Sequence, residues 1–198
     1  MAQGNARVKG HRTFVGRLGH AAGRMRRTAR SGSASIEFAF IAPVFFLFIF
    51  GIIETGVLFF AGGALQNATN DVARLVRTGQ LSGNLDVATL KADICSELSG
   101  LISSATCTAN LAIDLRSYSN FSGASYPTVT NADGSLNSGA MTVNATSDCQ
   151  VVLLRAFYPW TIMTPLMQPF LANMPNNQHL LATAAAFRTE PYTAGASC

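Results

Sequence analysis

Few side chains in this sequence could carry out chemistry, and they are scattered. Of the three histidines, His11 and His20 lie in a basic leader, so only His179 is left for the rest of the chain. Carboxylates alone can perform acid–base catalysis, but only as a positioned pair, and no paired acidic motif occurs. Gly4, Gly10, Gly16 and Gly19 follow no strand, so they do not form a phosphate-binding loop. The sequence therefore nominates no catalytic residue, no metal ligands, no cofactor and no small-molecule substrate. It reads as a protein that acts by contact and not as an enzyme.

The four cysteines, Cys95, Cys107, Cys149 and Cys198, offer a different chemistry. They contain no CxxC pair and lack zinc-site spacing. An even number in an exported domain suggests two disulfides. Three connectivities are open. Cys95 with Cys107 and Cys149 with Cys198 is favoured, because the first bond would tie a helix end to the strand after it.

Glu37 and Glu54 are the other notable groups, because each interrupts an apolar stretch. Phe38–Ile53 reads FAFIAPVFFLFIFGII, sixteen residues without a charge. A bilayer core of about 30 Å needs about 20 helical residues, and Phe38–Phe60 supplies them. An ionisable group in such a helix is costly and usually has a specific partner. Glu37 can snorkel beside Arg30 at one edge, and Glu54 can sit at the opposite interface.

Charge sets the expected direction. Residues 1–32 hold eight basic side chains and no acid, and the remainder has six basic against ten acidic residues. Arg24, Arg26, Arg27 and Arg30 stand just before the span, whereas the first basic residues after it are Arg74 and Arg77. The positive-inside rule then places the N-terminus in the cytoplasm and the bulk of the chain outside. A secreted signal peptide would have a shorter apolar region and a clean small-residue cleavage site. The mildly acidic folded part also argues against a nucleic-acid partner.

The helical pattern outruns the membrane. Ala61, Leu65, Ala68, Val72, Leu75 and Val76 recur at helical spacing up to Gly79. A helix from Ser35 to Thr78 would measure roughly 65 Å at 1.5 Å per residue, about twice the bilayer core. Its outer half must pack on something. Leu85–Ile102 reads as a second helix capped by Ser82 or Asn84, with Leu85, Ala88, Leu90, Ile94, Leu98 and Leu101 as its apolar set. Asn110–Tyr118, Gln150–Tyr158 and Leu180–Thr189 read as strands. Ser119–Asp148 reads as a long loop with a turn at Asp133–Gly134.

Pro159, Pro165, Pro169 and Pro175 break up an apolar stretch that should form neither a regular strand nor a long helix. That stretch either covers the sheet or presents Trp160, Ile162, Met163 and Phe170 to lipid or a partner subunit.

These residues also carry a resemblance. Gly32, followed five residues later by Glu37 and then Phe38, is similar to the prepilin-peptidase motif of type IV pilins. Ser35–Pro43 (SIEFAFIAP) and Gly51–Gly56 (GIIETG) resemble the TadE-like family of tight-adherence pilus proteins. So do Tyr158–Trp160 with Thr164–Pro165, and Arg188–Tyr192 (RTEPY). The resemblance implies cleavage between Gly32 and Ser33 by an aspartic prepilin peptidase. Glu37 would then neutralise the freed amine of Ser33, in its own chain or a neighbour's, since an unpaired charge in a low-dielectric bundle is expensive. Pro43 removes one helical hydrogen bond.

The leader is long, Ser31 and not a basic residue precedes Gly32, and Ser33 replaces a bulky residue. The outer domain also exceeds that of a major tight-adherence pilin. These departures favour a minor pilin or pseudopilin over the main filament subunit.

The expected fold is α+β and pilin-like, with a long transmembrane helix and a second helix packed on a small antiparallel sheet. Its expected parts are a cytoplasmic leader (1–32), the helix (33–79) and a periplasmic domain (80–198). The expected location is the bacterial inner membrane, or the pilus itself. Expected partners are membrane lipid, the prepilin peptidase, other pilins and membrane proteins of the pilus machine. Glu37, Phe38, Pro43 and Glu54 are the expected assembly and recognition residues. Two other readings stay open. One is an uncleaved scaffold of the same machine. The other is a surface ligand-binding protein using Ser119–Asp148 or the proline-rich segment.

Overall fold

The structure, a computed structural model, describes residues 19–82 and 85–198, with residues 19–31 as backbone only. Most of the leader, its arginine side chains and the cap candidate Asn84 lie outside the described residues. Helix α1 (Gly19–Arg77) runs through Pro43. Its Gly32–Arg77 part is long and apolar enough to cross a membrane once. The boundary between two compact units falls after Phe48.

The second unit, Ile49–Cys198, begins with the outer part of α1 and adds α2 (Val87–Glu97), α3 (Ser104–Asn110), β1 (Ala112–Tyr118), β2 (Val151–Thr161), α4 (Gln168–Leu171) and β3 (Gln178–Arg188). The strands form one antiparallel sheet in the order β1-β2-β3. The fold is α+β, as the sequence implies.

Period 3.6 on the helix and period 2 on the strands meet in the core. Leu58, Ala61, Leu65, Ala68, Val72 and Val76 form a buried stripe along α1, and Leu90, Ile94 and Leu98 add the buried side of α2 and the turn after it. They pack on the sheet face carrying Ile113, Leu115, Val152, Leu154, Ala156, Tyr158 and Leu181. Leu75, expected in this stripe, is only half-buried, and Ala88 of α2 is exposed. Thr69 and Thr183, both buried, share a 2.8 Å hydrogen bond between helix and sheet.

Several boundaries differ from the sequence reading. The second helix starts at Val87, and its cap is Asp86, whose carboxylate accepts from the Thr89 amide at 2.8 Å. Ser82 lies in the preceding turn. Between α2 and β1 the chain forms α3, capped by Ser103. The Cys95–Cys107 bond therefore joins two helices and not a helix to a strand. Cys149 is bonded to Cys198.

The proline-rich stretch does contribute to a strand, because β2 continues through Pro159 to Thr161. β1 begins opposite Phe157, so Pro159 has a paired strand on one side only, where a missing N–H is tolerated.

The outer end of α1 closes on the C-terminal segment. Gly79 donates to the Val76 carbonyl at 3.1 Å and Gln80 to that of Leu75 at 3.0 Å, with Gly79 at φ +74°. This is a Schellman cap, which favours glycine. The Tyr192 ring fills the place where a Cβ on Gly79 would stand. Glu190 donates its amide to the last helical carbonyl, that of Arg77, at 2.9 Å. Gly79→Ala should therefore cost at least about 2 kcal/mol, from left-handed strain plus overlap. Thermal unfolding of the full chain would read the loss.

Candidate functional site

Two regions of α1 hold the residues that the sequence singled out, and each lies in its own unit. In the first, Gly32, Ser33, Glu37 and Phe38 are exposed. The Ser33 hydroxyl donates to Glu37 Oε1 at 3.1 Å, which places the carboxylate one turn from the serine. Among the described residues, no atom beyond its own turns of helix lies within 4 Å of where a Cβ on Gly32 would stand. Pro43 and Phe38 are exposed too, with Phe38 at 68%.

In the second region Glu54 is 7% exposed. Its two oxygens accept from the backbone amides of Met163 at 2.6 Å and Thr164 at 2.7 Å. These amides precede the 3-10 turn Pro165–Met167, which leads directly into α4. Gly51, one turn earlier and buried, lies against Met167, whose sulfur would be 3.1 Å from a Cβ at this position. The spacing of Gly51 and Glu54 puts both on one face, where glycine admits the loop and glutamate binds its amides. The structure thus gives Glu54 a partner inside its own chain. Sequence reasoning found the carboxylate but not the amides, which lie more than a hundred residues later and carry no side-chain signature.

The C-terminal Arg188–Tyr192 motif makes a second set of contacts at the far end of the helix. Besides the Glu190 bond to Arg77 O, the side chains of Arg77 and Glu190 pair at 3.1 Å. Tyr192 donates its hydroxyl to Thr146 O and its amide to Asp148 Oδ1, both at 2.9 Å. The domain therefore grips α1 at Glu54 and at Arg77–Gly79. These grips are roughly 35 Å apart at 1.5 Å per residue.

A polar cluster that the sequence reading did not single out lies on the other sheet face. Asp114 of β1 is fully buried and accepts from Arg155 Nη2 at 2.6 Å, Arg116 Nε at 3.0 Å and the Thr142 amide at 2.9 Å. Arg155 also donates to Pro127 O at 3.0 Å, and Arg116 to Ala140 O at 2.7 Å. The cluster fastens the 119–148 loop over the sheet. Asp114 and Arg155 are register partners, so the alternation of two strands could have suggested the pair.

His179 donates Nδ1–H to Leu171 O at 2.6 Å, a role in positioning the chain after α4. Among the described residues, no group of three or more His, Cys, Asp or Glu could hold a metal ion.

With this geometry in view, the comparison with known families is specific. Residues 32–74 match the family model of TadE-like proteins. The TadE-like segment begins at Gly32, includes Glu37, Phe38, Pro43, Gly51 and Glu54, and ends three residues before α1 does. It therefore holds the helical side of the Glu54 contact, while Met163 and Thr164 lie beyond the match. No curated protein and no solved structure is similar enough to the chain to count as a match.

Proposed function

We propose that this chain is a minor pilin or pseudopilin that acts in assembling, priming or capping a tight-adherence pilus. The observation that carries the reading is the TadE-like match, which starts at Gly32 and contains Glu37 and Phe38. That family implies a part in pilus assembly and association with other pilus components.

The local chemistry at Gly32 supports processing. A glycine inside a helix costs roughly 0.5–1 kcal/mol relative to alanine. Among the described residues, none needs the space that Gly32 leaves. A requirement imposed from outside, by a peptidase cutting between Gly32 and Ser33, accounts for it. Glu37 stands one turn from Ser33 and would neutralise the new amine as it enters an apolar bundle. Phe38, Pro43 and the exposed apolar face of α1 would then meet lipid before assembly and other pilus helices after it. On this reading the leader faces the cytoplasm and the disulfide-bonded domain the periplasm, where such bonds persist.

The test is the intact mass and N-terminal sequence of the protein from its native membrane, with and without the prepilin peptidase. A start at Ser33 that requires the peptidase is expected. With Glu37→Ala, assembly should fail while the outer domain stays folded. A leader retained in both strains would leave an uncleaved scaffold of the pilus machine as the reading. Normal piliation in Glu37→Ala would remove the charge pairing.

A further inference from the structure

The Glu54 contact fixes where the proline-rich segment stands along α1, and this has a consequence for the membrane. Met163, Leu166 and Phe170 are 74%, 65% and 79% exposed. Scattered exposed apolar residues are ordinary, but these three share one short segment bound to the apolar helix. Beside the attachment, Ile52 and Ile53 of α1 are also exposed, and so are Phe59 and Phe60 further out. At 1.5 Å per residue, Glu54 lies roughly 9 Å below Phe60 along the helix. A segment held at Glu54 cannot rise clear of the apolar zone that the helix itself occupies. We propose that residues 161–172 form an interfacial membrane contact. Met163, Leu166 and Phe170 enter the headgroup–acyl boundary of the leaflet through which α1 leaves the bilayer.

Composition agrees with that occupant, and several of the segment's backbone donors are already paired. Residues 156–187 contain no Asp, Glu, Lys or Arg, an interval that includes the whole segment, the second half of β2 and all of β3 but its last residue. Backbone donors entering a bilayer need partners, since each unsatisfied one is costly. Ile162 donates to Asn177 O, Met163 and Thr164 to Glu54, Met167 to Thr164 O, and Ala172 to Gln168 O. Pro165 and Pro169 have no N–H to satisfy. The carboxylate of Glu54 is likewise covered by two amides and not left bare against lipid. Trp160, half-buried at the end of β2, is of the type enriched at membrane interfaces. A helix anchor plus an inserted loop holds a domain at two points and so limits its tilt over the bilayer.

The inference rests on α1 crossing a membrane and not on the pilin role, so the two can fail separately. Its test uses the full chain in phosphatidylcholine–phosphatidylglycerol nanodiscs. Trp160→Phe removes the only tryptophan, and Leu166→Trp then supplies a reporter at an exposed site. Phe170→Trp gives a second reporter, should the first perturb the loop. Tyr126→Trp is the control, placed in the 119–148 loop. Lipids brominated high on the acyl chain should quench the Leu166→Trp emission about twofold and leave the control nearly unchanged. Emission quenched by aqueous iodide but not by brominated lipid would overturn the proposal. Shielding from both quenchers would also overturn it, and would assign the surface to a protein partner.

Discussion

Glu54→Ala is expected to release the 161–172 segment from the helix. Hydrogen bonds to a charged group contribute roughly 1.5–3 kcal/mol each, and Glu54 accepts two short ones from Met163 and Thr164. A local loss of about 3–4 kcal/mol follows, since the freed amides will find some other acceptors. Because each 1.4 kcal/mol is about tenfold, these two amides should exchange with solvent deuterons more than about a hundredfold faster.

The rest of the domain should stay protected, because the cap at Gly79 and both disulfides lie elsewhere. Glu54→Gln keeps one acceptor and turns a donor toward the other amide, so it should restore only part of the protection. Hydrogen exchange of the full chain in nanodiscs reads all three proteins. Unchanged exchange at Met163 and Thr164 in Glu54→Ala would show that the contact does not hold the loop.

Glu54 also shows what a sequence can and cannot reveal. An acid within an apolar run is visible at once, because it violates the cost of charge in that setting. Its partner is invisible, since backbone amides look alike in every residue but proline. The stripe from Ala61 to Val76 was legible for the opposite reason: burial on one side of a helix leaves a 3.6-residue rhythm in the residue types.

Helix α3 left no such rhythm. Its sequence, SATCTAN, is small and polar, and only Cys107 is buried. The end of β2 was obscured by Pro159, a residue that normally ends strands. Its tolerance depends on where β1 begins beside it, which is a tertiary fact. The loop 119–148 was readable as a loop from its Ser, Gly and Asn. Its attachment at Asp114 was not, because the bonds go to the Pro127 and Ala140 carbonyls and the Thr142 amide. Processing at Gly32 was suggested by the resemblance, and the space around this glycine, open among the described residues, adds a physical reason to look for an outside reader.

Asp114→Ala should be the most damaging single change in the outer domain. It would leave Arg155, itself buried, and half-buried Arg116 without their counter-charge. Breaking a buried pair in this way costs roughly 3–5 kcal/mol. The loss should uncover the 119–148 loop as well as lower the unfolding temperature. Exchanging the whole cluster for apolar residues of similar volume is expected to be far milder, since no charge would then be stranded.

Acid should reproduce part of the effect in the unaltered protein. Burial pushes the Asp114 carboxyl up, but the Thr142 amide, Arg155 and Arg116 outweigh it and hold it below the usual aspartate range. A carboxyl lowered by folding stabilises above its unfolded pKa of about 3.9. That stabilisation is lost as pH falls through the lower folded value. Asp86, Asp133 and Asp148 are also held low, chiefly by hydrogen bonds to Thr89, Ser135 and Thr193, so they contribute to the same slope. The contribution of Asp114 is isolated by Asp114→Asn, which cannot titrate. Thermal unfolding of the two full-length proteins should converge as pH drops below about 4. Parallel curves across that range would show that the Asp114 charge contributes nothing to holding the loop on the sheet.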